Sequence, residues 1–215
     1  MNDSNFLKKE KDFNPTLLSD KKIILASQSP RRKELLERCS IPFEVMVTDT
    51  DENVNEKMMP SDYVAFISRR KAEQAVNKFI SENNELANTI IIAADTVVAL
   101  EGEIYGKPMD HNDAFLMLKK LQGKSHYVYT GLTVTFLDDM NGVYYKEDVC
   151  ATEVIFKSLT DSEISDYIST GEPFDKAGAY AIQGIASKFI EKINGDYNNV
   201  VGLSTDRLLK ILLEQ

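Results

Sequence analysis

The sequence predicts an α/β fold built on a mixed β-sheet. Strand-like and helix-like segments alternate along the 215 residues, and two long strand-like segments form a hairpin in the middle of the chain. With 43% apolar and 27% charged residues, the composition is that of an ordinary globular protein. The length allows one large core, or two lobes that share a cleft.

The first elements follow from apolar runs and capping residues. Lys22–Ser27 is predicted to be a buried strand, and Pro30 suits the first turn of the helix that follows it. Phe43–Val47 has strand character. Ser61 is predicted to cap a helix whose apolar residues recur at helical spacing as far as Phe79.

The middle of the chain contains the clearest strand. Thr89–Leu100 is rich in β-branched residues and almost wholly apolar, which is typical of a central strand covered on both faces. The remaining predicted elements are a turn at 101–102, a helix capped by Asp110, a hairpin of Tyr127–Leu137 with Val143–Phe156, a helix opened by a capping box at Thr160–Glu163, and a helix over 204–215.

Charge and hydropathy exclude several classes of protein. A net charge of −9 argues against non-specific nucleic-acid binding, which normally needs a basic face. The longest apolar runs are too short to span a membrane, and the first twenty residues lack the apolar core of a secretion signal. Cys39 and Cys150 are far apart and are predicted to be free thiols. We therefore expect a cytoplasmic protein that binds neither nucleic acid nor membrane.

Two segments carry most of the predicted chemistry. In Ser27–Lys33 a strand feeds a helix N-terminus that carries Arg31 and Arg32, an arrangement suited to an anion; the alternative is a serine cap followed by solvated cations. Asp95 interrupts the apolar central strand, where an ionised carboxylate is costly. It is predicted to ligate a hard metal, to act as a general base or to form a buried ion pair, and Asp51 or Glu52 could supply a second carboxylate.

Weaker signals come from loops and a second basic triplet. Lys107, between a glycine and a proline, could contact phosphate or simply be solvated, and Lys71 is equally ambiguous. Residues 169–184 mix glycines, charges, an aromatic ring and an amide, as loops that wrap a ligand often do. The amide of Gln183 can both donate and accept, as reading a base edge requires.

Taken together, these stretches resemble the Maf family of nucleoside triphosphate pyrophosphatases. The match is carried by residues 25–36, 93–98, 106–108 and 171–184, and it covers nearly everything from Ile23 to the C-terminus. The resemblance implies an elongated mixed sheet in two lobes with a central cleft, commonly in a homodimer. Residues 21–215 would form a single catalytic domain, and residues 1–20 a partly disordered extension.

The resemblance also implies a reaction and a set of roles. A nucleoside triphosphate would be hydrolysed to the monophosphate and pyrophosphate with Mg²⁺ or Mn²⁺. Asp95 would be the catalytic proton acceptor. The positions matching substrate preference are Arg31, Thr96 and Gln183, and those matching the triphosphate and metal pocket are Ser27, Arg32, Glu52, Lys71 and Lys107.

Details of these motifs favour the branch acting on dTTP and UTP over the branch acting on N7-methyl-GTP. The segments concerned are Pro30-Arg-Arg, Asp95-Thr96 and Ile182-Gln183, although Ala181 replaces a usual glycine. The expected role is nucleotide house-cleaning and division arrest. The alternative from another class is a nucleotide-binding regulator of cell division without significant turnover, for which a water-activating Asp95 would be unnecessary.

Overall fold

A seven-stranded mixed sheet forms the framework of the computed structural model, which describes residues 13–54, 56–82, 86–138 and 142–214. The strands are β1 (Lys22–Leu25), β2 (Glu44–Val45), β3 (Thr89–Leu100), β4 (Glu103–Tyr105), β5 (Ser125–Asp138), β6 (Gly142–Phe156) and β7 (Ile190–Asn194). Their order is β2-β1-β3-β5-β6-β7, with β4 also paired to β3. β1 is parallel to β2 and β3, whereas the other pairings are antiparallel. The predicted mixed α/β fold is confirmed.

Six α-helices flank the sheet in the described part of the chain. They are α1 (Pro30–Arg38), α2 (Pro60–Ser81), α3 (His111–Leu121), α4 (Asp161–Ile168), α5 (Tyr197–Val201) and α6 (Thr205–Leu213). Asp110 caps α3, and Thr160 with Glu163 forms the predicted capping box of α4. None of these helices is long and apolar enough to cross a bilayer.

Several predicted boundaries are wrong or fall outside the described residues. α2 begins at Pro60, because proline suits the first helical position, and its cap residue is Met59 rather than Ser61. β2 is shorter than the predicted Phe43–Val47. Residues 139–141, between the two strands of the predicted hairpin, and residues 1–12 of the predicted extension lie outside the described residues. Within residues 13–20, Leu18 is buried in a 3₁₀ helix.

Among the described residues, three hydrophobic clusters pack against the sheet, and two of them lie toward opposite ends of the long strands. The first half of β3 places Ile90 and Ile92 in a core shared with α1 and α6. The second half places Val98 and Leu100 in a core shared with α3 and α4. This division gives the two predicted lobes, and the middle of β3 lies between them.

One edge of β3 is uncovered between the two lobes. β1 pairs with β3 only as far as Ile92, and β4 pairs with the same edge only from Val98 onward, because β5 occupies the other edge along nearly the whole strand. Asp95 and Thr96 fall in this gap. Since successive side chains of a strand point to opposite faces, Asp95 points toward α2 and Thr96 toward α1.

Candidate active site

A cavity of about 670 Å³ opens at the uncovered edge of β3 and is lined from both lobes. The predicted site residues that line it are Ser27, Arg31, Arg32, Glu52, Lys71, Asp95, Thr96 and Lys107. They come from the end of β1, the start of α1, the loop after β2, the middle of α2, the gap in β3 and the loop after β4. The fold thus collects residues that are far apart in the sequence into one basic and acidic cleft.

Lys71 joins the two carboxylates of the cavity. Its Nζ lies 2.7 Å from Asp95 Oδ1 and 2.7 Å from Glu52 Oε1. Asp95 is only 6% exposed, so its negative charge would be costly without this ammonium partner. The carboxylate therefore lies at the cavity wall in an ion pair with a cation from α2.

A glycine on β5 allows α2 to approach Asp95. Gly131 is the residue opposite Asp95 in the β3–β5 pairing. A Cβ atom at Gly131 would lie 2.2 Å from the carbonyl oxygen of Val64 and 2.9 Å from the hydroxyl of Ser68, both on α2. Only glycine lets the helix backbone lie this close to the sheet, and this approach brings Lys71 within reach of Asp95.

The two candidate acidic residues of the loop after β2, Asp51 and Glu52, make different contacts. Glu52 contacts Lys71 and lines the cavity. The carboxylate of Asp51 instead accepts hydrogen bonds from the backbone and side-chain amides of Asn53, which lower its pKa. Asp51 therefore stabilises its own loop, and Glu52 is the carboxylate that shares a cation with Asp95.

Arg32 lies on the other side of β3 and is held by uncharged acceptors. Its guanidinium donates to Gly202 O at 2.8 Å, to Ser27 Oγ at 3.2 Å and to Thr96 Oγ1 at 3.0 Å. Burial lowers the pKa of Arg32, and the charge of Asp95 only partly opposes that effect. These bonds use three of its five N–H donors, which leaves two for a ligand in the cavity.

The cavity is also lined by groups that the motif analysis did not single out. Asp175 and Lys176 line the cavity, and Asp175 Oδ2 lies 3.7 Å from Arg31 Nη1. Both belong to the glycine-rich run 169–184, whose composition was the available signal. Tyr63 on α2 also lines the cavity, where its hydroxyl donates to Glu52 O at 3.1 Å.

Gln183 is placed differently from the other predicted residues. It is exposed and falls outside the set of described residues that line the cavity, although its neighbours Ala181 and Ile182 belong to that set. The apolar part of the wall is formed by these two residues together with side chains such as Val98 and Val128. The cavity therefore combines apolar surface with the cations of its arginines and lysines.

The carboxylates of Asp95 and Glu52 are oxygen ligands of the kind that a hard divalent cation prefers. Among the described residues, no three acidic, histidine or cysteine side chains cluster closely enough to hold a metal by themselves. Mg²⁺ is commonly bound by one or two carboxylates together with substrate phosphates and water. Asp95 and Glu52, both in contact with the same ammonium, supply that kind of oxygen ligand.

The fold and the cleft define an α/β protein with a cavity that is lined by several cations and by one buried carboxylate. The family model for Maf-like proteins matches residues 22–215, and the chain belongs to the Maf family. It is 50% identical to the dTTP/UTP pyrophosphatase of Caldanaerobacter subterraneus subsp. tengcongensis over 89% of this chain and 87% of that protein. It is 44% identical to the dTTP/UTP pyrophosphatase of Bacillus cereus strain ATCC 14579 over 89% of this chain and 94% of that protein.

Among solved structures, this chain is similar to the Staphylococcus aureus Ham1 protein. The two are 15% identical, with a TM-score of 0.47, over 90% of this chain and 99% of that chain.

Proposed function

We propose that this chain hydrolyses dTTP and UTP to the nucleoside monophosphate and pyrophosphate. The observation that carries the proposal is the buried Asp95 carboxylate, paired with Lys71, in a cavity also lined by Arg31, Arg32 and Lys107. The names of the relatives, at 44–50% identity, supply the substrate class.

In the proposed reaction, water attacks the α-phosphorus of the nucleotide. A new bond forms between the water oxygen and this phosphorus, and the bond from the α-phosphorus to the oxygen bridging the β-phosphorus breaks. Asp95 accepts the proton of the water, and pyrophosphate leaves with the electron pair of the broken bond. Arg31, Arg32 and Lys107, which line the cavity, stabilise the charge that develops on the leaving group. Arg32 is held in place for this by its three hydrogen bonds.

Asp95 and Glu52 are the residues that would hold Mg²⁺ or Mn²⁺ at this site. When bound, such an ion would withdraw negative charge from the phosphate oxygens. Lys71 contacts both carboxylates and limits their mutual repulsion before the substrate arrives. It remains available for a phosphate oxygen, because its ammonium has three donors.

Preference for a pyrimidine is assigned to Gln183, which follows the cavity-lining Ala181 and Ile182 in the chain, together with Arg31 and Thr96, which line the cavity. Gln183→Ala should lower the ratio of the dTTP rate to the ATP rate, since a site that hydrogen-bonds its substrate discriminates better than an apolar one. Steady-state rates with both nucleotides measure this ratio. Glu191→Gln, at an exposed position on β7, is the control. An unchanged ratio in the Gln183 variant would remove it from the proposal.

Pyrophosphate release from a panel of nucleoside triphosphates, with and without Mg²⁺ or Mn²⁺, tests the proposed function. We expect dTTP and UTP to give stoichiometric pyrophosphate and monophosphate. A protein that binds these nucleotides but releases no pyrophosphate would instead be the nucleotide-binding regulator. Release of orthophosphate as the first product would contradict attack at the α-phosphorus.

The assembly and the compartment belong to the same proposal. We infer a homodimer acting in the cytoplasm, where it would remove nucleotides and contribute to division arrest. Light scattering coupled to gel filtration would measure the mass, and a single-chain mass of 24.2 kDa would contradict the dimer.

A further inference from the structure

Lys176 occupies a position in the cavity that no role so far explains. It lies between two short 3₁₀ helices, Glu172–Asp175 and Ala177–Ala179, and lines the cavity. Its side chain is only 14% exposed, and its ammonium forms an ion pair with Asp175. A lysine with a merely solvated head group would extend its ammonium away from the protein.

Gly178 fixes this segment beside the loop that carries Lys107. The N–H of Gly178 donates to Gly106 O at 2.9 Å. Its φ of +66° suits glycine, and a Cβ at this position would lie 2.8 Å from the side chain of Val98 on β3. The segment is therefore pressed against the central strand, and Lys176 and Lys107 line the same cavity from two adjoining loops.

Arg31, Asp175 and Lys176 together carry a net positive charge, which favours an anion. Asp175 is the carboxylate that contacts both Lys176 and Arg31, so one negative charge faces two positive charges. Although partial burial of Asp175 acts in the opposite direction, the ammonium of Lys176 and the guanidinium of Arg31 lower the pKa of its carboxyl group. Asp175 therefore holds both cations at the cavity in the free protein but cannot neutralise them.

We propose that Lys176 is a substrate-binding residue whose ammonium binds a phosphate oxygen of the triphosphate, and that Asp175 positions it until the substrate arrives. This assignment rests on the proposed function, because the triphosphate is its ligand. The rival explanation is an ion pair that only stabilises the loop. The two differ in the Michaelis constant, since a structural pair would not selectively weaken phosphate binding.

Lys176→Ala and Lys176→Gln should raise the KM for dTTP about tenfold or more, as loss of a charge-assisted hydrogen bond does, and change kcat much less. Lys176→Arg should recover most of the affinity. Lys192→Ala, at an exposed position on β7, is the matched control and should leave both constants unchanged. Calorimetric titration with inorganic tripolyphosphate should show the same loss of affinity in the Ala and Gln variants.

Two results separate this proposal from the proposed function. If the unmodified protein turns over dTTP and the folded Ala and Gln variants keep its KM and its tripolyphosphate affinity, the assignment of Lys176 is overturned alone. If no nucleoside triphosphate is hydrolysed, the proposed function fails, and tripolyphosphate binding still decides whether Lys176 contacts phosphate. Thermal unfolding of each variant identifies any that is not folded, and the Gln variant then replaces the Ala variant.

Discussion

Lys71 and Arg32 reach β3 from opposite faces of the sheet, and their surroundings differ. Lys71 lies between two carboxylates, those of Glu52 and Asp95. The oxygens that accept hydrogen bonds from Arg32 are all uncharged and belong to Ser27, Thr96 and Gly202. Burial lowers the pKa of Arg32, which is the effect of removing a cation from water without full compensation.

This difference indicates which side of the cavity needs an incoming anion. Charges removed from water are normally paired, and the half-buried Arg32 donates hydrogen bonds only to uncharged oxygens. A phosphate that entered the cavity would supply the missing negative charge, whereas Lys71 already has its partners. The Lys71 side therefore serves mainly the chemistry at Asp95, with one ammonium donor left for a phosphate oxygen, and the Arg32 side serves substrate binding.

The largest expected effect is that of Asp95→Asn. Removing the proton acceptor while keeping the shape should lower kcat for dTTP about a hundredfold or more, and should leave nucleotide affinity within a few fold. Asp148→Asn, which removes a carboxylate on β6 that pairs with Arg207 on α6, is the control and should keep full turnover. Parental turnover by the Asp95 variant would mean that this side of the cavity has no catalytic role.

A smaller effect is expected from Arg32→Lys, which keeps the charge but loses the planar guanidinium whose Nε, Nη1 and Nη2 reach three separate acceptors. The KM for dTTP should rise about tenfold or more with a smaller change in kcat, because a planar guanidinium and an ammonium are not equivalent in a site of this geometry. Arg38→Lys, at the exposed end of the same helix, is the matched control. If Arg32→Lys and Arg38→Lys had the same KM for dTTP, the proposed difference between Arg32 and Lys71 would be contradicted.

The smallest expected effect on turnover, and a measurable effect on stability, comes from Gly131→Ala. The added methyl group would overlap the Val64 carbonyl, so α2 must move and carry Lys71 away from Asp95. We expect a loss of about 1–3 kcal/mol in the free energy of unfolding, which is typical of overpacking. Gly106→Ala, whose Cβ would meet nothing within 4 Å, is the stability control. If Gly131→Ala and Gly106→Ala unfolded at the same urea concentration, the close packing of α2 against Gly131 would be contradicted.

The sequence was informative where local pattern decides structure. Thr89–Leu100 has the predicted bounds, because a run of β-branched residues buried on both faces leaves little choice of conformation. β7 was not predicted, because it is short and largely exposed. It is also stabilised by pairing with β6, which is more than thirty residues away in the sequence and cannot be inferred from the local pattern. The start of α2 was missed because Met59 makes no side-chain cap that a sequence pattern would reveal.

In the candidate site, too, local sequence pattern identified residues but did not reveal their long-range contacts. Motifs identified Asp95 and the cations other than Lys176, but not which groups would pair. The contact of Lys71 with both carboxylates depends on the packing of α2 against Gly131, and the contact of Arg31 with Asp175 joins distant segments. Such contacts are fixed by tertiary packing and have no local signature.

Hydrolysis of dTTP in water enriched in ¹⁸O tests the central claim most directly. If water attacks the α-phosphorus in the cavity beside Asp95, mass spectrometry will find one ¹⁸O atom in dTMP and none in pyrophosphate. Label in the pyrophosphate, with unlabelled dTMP, would place the attack on the β-phosphorus and contradict the account.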